Sequence, residues 1–446
     1  SYGEVGNDGI NSSLWSQNWE ATSDKRYQGA VNGAFLPSYS LGADMANKDL
    51  KWETTITRNI GVDFGFFNSR LTGTIDAYWN TTKDLLMKTA IPGITGFTST
   101  YANVGQTSNK GIEIALQGVL VKTRDWNVTA GFNINFNRGK VDKLADNVTG
   151  LYGTEWATSS TFPKSDYVLK EGRPVGLVRG LTADGFYTTD DFTYANGVYT
   201  LKEGVADVSS AVFPNYHLHN GMNERPAGQL AYPGMAKFKD LNDDGIINDD
   251  DVDVIGDMTP VHTGGFNINA TYKNFDLGLY FNWSYGNEIY NVNKLAALYG
   301  YKEGAVYENK LSIVKDCYKI YDVVNGELVA LTTPEQLNAA NANAKLPLAY
   351  SENGYVSTLG IEDGSYLRLN TLTLGYTLPK SMLQKAGISN LRVYGSIYNV
   401  FTITGYSGID AEVSTSTSTK TYPQLGMDWG TYPRARSFVL GVNLSF

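Results

Sequence analysis

The chain has 446 residues, 42% hydrophobic and 18% charged, with a formal net charge of −9 at pH 7. The acidic balance argues against a nucleic-acid partner, and no apolar run approaches the ~18 residues of a membrane-spanning helix. One cysteine, Cys317, leaves no internal disulfide to form.

Strand signals begin early. Ile60, Val62, Phe64 and Phe66 alternate with Asn59, Gly61, Asp63 and Gly65. Leu71, Gly73, Ile75, Ala77 and Trp79 then alternate with Thr72, Thr74, Asp76, Tyr78 and Asn80. Period-two alternation predicts strands, and Asn68-Ser69 between the runs predicts a hairpin turn. The pattern returns at Ile112, Ile114, Leu116, Gly118 and Leu120. After a turn at Thr123-Arg124-Asp125 it continues at Trp126, Val128, Ala130, Phe132, Ile134 and Phe136. Further pairs are Phe266, Ile268, Ala270, Tyr272 with Leu277, Leu279, Phe281, Trp283, and Leu372, Leu374, Tyr376, Leu378 with Leu391, Val393, Gly395, Ile397. In the final run Phe438, Leu440, Val442, Leu444 and Phe446 share one face, and Ser437, Val439, Gly441, Asn443 and Ser445 the other.

The runs predict nine or ten strands of about ten residues, the length that crosses a bilayer at a tilt. Short turns close one end of each pair. Long connections over 81–109, 138–261, 285–364 and 402–435 close the other. The positions opposite the apolar ones are polar (Thr72, Thr74, Asp76, Asn133, Asn135, Asn137, Asn267, Asn269), which suits a hydrated lumen. Thirty Tyr, eighteen Phe and eight Trp suit aromatic girdles at two bilayer interfaces. The expected fold is therefore an all-β, transmembrane antiparallel β-barrel of the bacterial outer membrane, with long extracellular loops. A soluble edge strand carrying five exposed apolar side chains would aggregate. The Phe438, Leu440, Val442, Leu444 and Phe446 face, ending on an aromatic, resembles the insertion signal of outer-membrane proteins.

One segment carries metal chemistry. Asp240-Leu-Asn242-Asp-Asp244-Gly245-Ile246-Ile247-Asn248-Asp-Asp-Asp251 has the spacing of an EF-hand calcium loop. Oxygen-bearing side chains stand at Asp240, Asn242, Asp244 and Asn248, a main-chain carbonyl at Ile246, and a sharp-turn glycine at Gly245. Position 12 is Asp251, where EF-hands carry Glu. Ca²⁺ takes six to eight oxygens, so the expected ligands are Asp240, Asn242, Asp244, Ile246, Asn248 and Asp251. The ion's expected role is to stiffen the 138–261 loop region. The bland reading is an acidic, solvated turn.

Other residues point to less. His217 and His219 lack a third metal ligand at recognisable spacing, and His262 opens a strand alone. No nucleophile motif or phosphate loop is present, so no catalytic residue is expected. Trp15, Trp19, Trp156, Tyr299, Tyr301 and Trp429 in the long connections are candidates for stacking on sugars, or for packing the loops together.

Several stretches together resemble the SusC/RagA family of TonB-dependent transporters of the Bacteroidetes outer membrane. They are Ser1-Tyr-Gly-Glu-Val-Gly-Asn-Asp8, Lys51-Trp-Glu-Thr-Thr55-Ile-Thr-Arg-Asn-Ile-Gly61, Ser108-Asn-Lys-Gly-Ile-Glu-Ile114, Lys239-Asp-Leu-Asn-Asp-Asp-Gly-Ile246, Glu362-Asp-Gly-Ser-Tyr-Leu-Arg-Leu369 and the last strand. The resemblance implies a barrel of ~22 strands around an N-terminal plug. Residues 1–446 would form the C-terminal part of that one barrel domain, with the plug and the TonB-contacting segment outside it. It further implies active import of an oligosaccharide (glycan) or an oligopeptide. The implied partners are TonB, a SusD-like surface lipoprotein, the plug with the remaining strands, and the lipid bilayer. The competing expectations are a passive porin and a calcium-stabilised carbohydrate-binding β protein.

Overall fold

The computed structural model describes residues 1–7, 14–17, 19–22, 30–32, 34–36, 38–42, 44–145, 148–157, 161–213, 225–298, 311–349, 354–383, 387–415 and 424–446. It divides into two compact units, Ser1–Leu151 with Leu169–Val175, and Tyr152–Val168 with Gly176–Phe446.

The first unit is built on an antiparallel meander of β1 (Tyr2–Asn7), β2 (Glu53–Phe66), β3 (Leu71–Ala90), β4 (Ser99–Lys122) and β5 (Trp126–Lys143). Each strand pairs with the next. The register aligns the apolar positions expected from the alternation: Val62 faces Ile75, Ile75 faces Ile114 and Ile114 faces Ile134. A one-residue slip would turn every such row to the other face, so placing this face against lipid selects the register. The β2–β3 turn forms where Asn68-Ser69 predicts it, with φ of 53°, 54° and 62° at Phe67, Asn68 and Ser69.

The structure corrects the loop expected over 81–109. β3 runs on to Ala90 and β4 starts at Ser99, so the connection is a tight 91–98 tip on a continuous hairpin. Its strict alternation stops near Asn80 because the pairing shifts register between Thr82 and Leu85 and again between Leu85 and Leu86, so no unbroken apolar period marks the strand. At ~3.3 Å per residue β3 is roughly 66 Å long, far more than a bilayer requires. β5 likewise runs to Lys143, six residues into the connection expected over 138–261.

The second unit repeats the meander with β6 (His262–Tyr272), β7 (Phe275–Tyr285), β8 (Tyr366–Thr377), β9 (Asn390–Thr404) and β10 (Ser437–Ser445). One apolar row crosses all five strands through Ile268, Leu279, Leu372, Ile397 and Phe438. The face is exposed in the isolated chain, with Phe438 72% and Leu440 89% accessible, as a lipid-facing surface must be. The connections before β6 and between β7 and β8 do not trail as coil. They fold together on a core that includes Leu181, Tyr187, Tyr199, Ile247, Leu337 and Tyr355. Thr161–Phe162 pairs in parallel with Gly354–Tyr355, and the Tyr199 hydroxyl donates to the Thr332 carbonyl at 3.0 Å.

Candidate functional site

The inward face of the sheets carries the polar half of the alternation. In the second unit Asp276 on β7 and Arg392 on β9 reach across β8 in a two-pronged pair, Nε to Oδ1 at 2.8 Å and Nη2 to Oδ2 at 2.5 Å. The intervening residue is Gly375, where a Cβ would lie 2.5 Å from Asp276 Oδ1 and 2.6 Å from Arg392 Nη2. The Arg392 guanidinium also sits 4.7 Å from the Tyr394 ring centroid. The wall is polar and charged here, and it is pinned across three strands.

At the loop end, the Glu362–Leu369 stretch organises a second network that the sequence did not disclose. Arg368 is 1% exposed. Its Nη1 donates to Glu412 Oε2 at 3.0 Å, its Nε to Thr402 Oγ1 at 3.0 Å, and its Nη2 to Asp410. Arg434 reinforces Glu412 at 3.0 Å. Counting in twos from Leu372 and Leu374 puts Arg368 on the lipid side. Between Thr371 and Leu369 strand β8 carries one residue more than β7, which steps directly from Tyr280 to Phe281, and this bulge turns Arg368 to the polar side. Glu362 accepts from Ser407 Oγ (2.9 Å), Ser407 N (3.0 Å) and Asn291 Nδ2 (3.2 Å), with Lys294 Nζ at 3.2 Å. Burial pushes its carboxyl up, but the Ser407 and Lys294 contacts outweigh this and leave it below its ordinary value. The motif therefore ties strand β8 to the segments 288–294 and 405–415.

The 240–251 loop turns at Gly245, φ 85°, after Asp243 at 58°. Asp240 Oδ2 accepts from Gly245 N at 2.7 Å, Asn242 Oδ1 from Asp244 N at 3.1 Å, and Asp244 Oδ1 from Ile246 N at 2.9 Å. The Ile246 carbonyl accepts from Asn248 Nδ2 at 3.1 Å. Asp251 is fully buried and closes the loop, accepting from Leu241 N at 2.7 Å and Asn248 N at 2.8 Å. Asp240, Asn242 and Asp244 thus gather at one end, while Asp251 staples the base. Among the described residues no group of three or more His, Cys, Asp or Glu side chains is assembled as a metal cluster. The loop bears directly on the connection's core: Ile246–Ile247 pairs in parallel with Asp207–Val208, and Ile247 is fully buried.

His217, His219, Tyr299 and Tyr301 lie outside the described residues. His262 opens β6 as expected but is not isolated: it stacks on Tyr285 at 5.0 Å and accepts from Trp283 Nε1 at 3.0 Å. Cys317 is buried and its thiol is pushed up to about 11 by that burial, which suits an inert side chain. Trp156 packs against the buried Tyr167 and Tyr290 group, whereas Trp19 and Trp429 are exposed. Trp15 is exposed too, and its Nε1 donates to the Lys48 carbonyl at 3.2 Å.

Antiparallel meanders with a continuous apolar face, a polar opposite face and strands long enough to cross a bilayer define transmembrane β-barrel structure. Residues 13–223 match the family model described as TonB dependent receptor-like, beta-barrel. The whole chain is 30% identical to TonB-dependent receptor P3 of Formosa agariphila and covers 39% of that protein. It is 29% identical to TonB-dependent receptor SusC of Bacteroides thetaiotaomicron, over 90% of this chain and 32% of that one. The fold of the RagAB peptide transporter is shared, with a TM-score of 0.67, 24% identity, all of this chain and 40% of that chain covered. The chain belongs to the SusC/RagA family of TonB-dependent receptors, proteins of the outer membrane. It spans about two fifths of the length of the first of these curated relatives.

Proposed function

We propose that the protein carrying this chain imports a nutrient, an oligosaccharide or an oligopeptide, across the outer membrane by TonB-driven transport. A SusD-like surface lipoprotein would serve as partner on the extracellular loops. The observation that carries this reading is the wall itself: in each meander an apolar outer face is backed by a polar inner face, in a chain similar to SusC over nine tenths of its length. The relatives are described as receptors and a transporter, and binding with gating is the chemistry offered here, without a covalent step. The test is uptake of labelled glycans and labelled peptides by cells with and without the gene, in a TonB-competent and a TonB-deficient background. Loss of uptake in both deletions supports active import. Uptake that survives loss of TonB indicates a passive pore and refutes the proposal.

We further propose that the 240–251 loop takes Ca²⁺ as a structural ion. Its donors are of the right kind, hard oxygens from Asp240, Asn242, Asp244, Asn248, Asp251 and the Ile246 carbonyl. The ion would neutralise the Asp240–Asp244 end, while Asp251 holds the base closed. Calcium should then slow proteolysis between β5 and β6, and Asp240→Ala with Asp244→Ala should remove that dependence. Equal cleavage of the parent with and without calcium would end the assignment.

A further inference from the structure

The outward face of the first unit has a feature that an apolar band alone does not require. Followed away from the short turns, its apolar columns stop at one level, and cations stand there. Lys110 on β4 is in register with Trp79 on β3 and with Arg138 on β5. Arg58 on β2 falls opposite Trp79 in the register set by Ile56–Thr81 and Asn59–Tyr78, and it faces Tyr2 on β1. All five share the face of Ile60, Ile75, Ile114 and Ile134. The Arg58 guanidinium lies 6.0 Å from the Tyr2 ring centroid. Trp79 and Tyr2 are exposed, as is Lys110.

The height of this row is informative. Leu71 to Trp79 is eight residues and Leu120 to Lys110 is ten. At ~3.3 Å per residue and a tilt of ~40° these steps span roughly 20–25 Å. The apolar band of an outer-membrane barrel is about 25 Å tall. The short turns mark the periplasmic side, so the row stands at the boundary with the outer leaflet's headgroups. The charge at this level is one-sided. Among the described residues neither Arg58 nor Lys110 forms an ion pair with a carboxylate. The nearest acid on this face, Glu4, is engaged by the Tyr2 hydroxyl, and the next cation outward, Lys140, is paired with Asp142 at 3.2 Å. The second unit shows that strand ends need not carry cations: the same columns of β6 and β7 finish on the stacked His262 and Tyr285.

We propose that Arg58, Lys110 and Arg138, with Tyr2 and Trp79 between them, form a binding stripe for the phosphates of lipid headgroups in the outer leaflet. Charge complementarity and continuity with the lipid-facing apolar band specify the occupant. Guanidinium groups take phosphate oxygens in pairs, the lysine adds a point charge, and the long aliphatic stems lie on the apolar surface below. The aromatic rings prefer the same interfacial depth.

The test uses the full-length receptor carrying this chain, purified in detergent in the presence of a phosphorylated outer-leaflet glycolipid (lipid A), with retained lipid counted by mass spectrometry. The parent is expected to retain lipid A and to lose the preference when the same lipid is stripped of its phosphates. Replacing Arg58, Lys110 and Arg138 by Ser should lower retention roughly fivefold per cation, on the order of a hundredfold together at low salt, with a smaller loss at high ionic strength. Arg124→Ser, at the opposite end of the same sheet, should leave retention unchanged. Equal retention by the parent and the triple variant overturns the proposal. So does equal retention of the dephosphorylated lipid by the parent, which needs no variant to fold. Displacement of the lipid by inorganic phosphate at matched concentration would point to a soluble-anion site and equally refute it.

Discussion

Replacing Arg368 by Met removes the one cation that serves Asp410, Glu412 and Thr402 at once. The methionine fills much of the volume, so the loss is electrostatic and not a cavity. Asp410 is nearly buried, with 8% of its side chain exposed, and its remaining cation, Arg434, stands at 3.9 Å. Glu412 is better placed, because Arg434 stays at 3.0 Å and 36% of its side chain is exposed. Breaking a buried pair by removing one partner costs about 3–5 kcal/mol. With Arg434 retained we expect the lower end, about 3 kcal/mol, confined to the anchorage of 405–415 on strand β8. That corresponds to roughly a hundredfold more frequent local opening. Amide hydrogen exchange of the full-length receptor in micelles reads this directly at Ser407 and Glu412, whose N–H groups donate to Glu362 and Asp410. Exchange across 405–415 should accelerate about a hundredfold, while the β6–β7 hairpin stays protected. Glu412→Gln, at the exposed member, should change exchange by less than about tenfold. Acceleration of less than about threefold in Arg368→Met would refute the reasoning, because it would mean that Arg368 does not hold the segment.

Gly375→Val should break the Asp276–Arg392 pair, since even a Cβ meets both partners at 2.5–2.6 Å. We expect a loss of about 1–3 kcal/mol, read as a lower temperature of barrel unfolding by heat-dependent gel mobility; an unchanged midpoint would show that the strands yield. Burial, with Asp257 and Asp363 nearby, holds the Glu288 carboxyl above its ordinary value. A raised carboxyl binds its proton more tightly when folded, so stability falls as pH rises through that value. Glu288→Gln, which can still accept from Asp257 N (2.7 Å in the parent), should therefore stabilise the second unit at pH 7 and give no gain below pH ~4. A gain of equal size at both pH values would contradict the titration argument. Phe446→Ala is expected to lower the amount of receptor reaching the outer membrane, measured by surface labelling; normal levels would remove the terminal aromatic from the insertion signal.

The strands were legible because lipid and water impose opposite demands on adjacent residues. Wherever a strand crosses the apolar band, a period of two is written into the chain, and Ile60–Phe66, Ile112–Leu120 and Phe438–Phe446 could be read directly. Turn chemistry at Asn68-Ser69 was legible for the same local reason, because positive φ limits the residues that fit. The turn at Gly245 was also local, since Asp240, Asn242 and Asp244 close it with hydrogen bonds to main-chain N–H groups a few residues away. Three features were settled only in three dimensions. The β3–β4 hairpin continues past Asn80 because its backbone pairs across the two strands, and pairing leaves no period in a sequence whose register shifts between Thr82 and Leu86. The connections before β6 and before β8 share one core because Phe162 meets Tyr355, and Tyr199 meets Thr332, across more than a hundred residues. Arg368 faces the polar side because a single bulge shifts the count by one. Periodicity fixes which residues share a face only while the register runs unbroken, and a bulge is decided by the partner strand and by the carboxylates waiting on the far side.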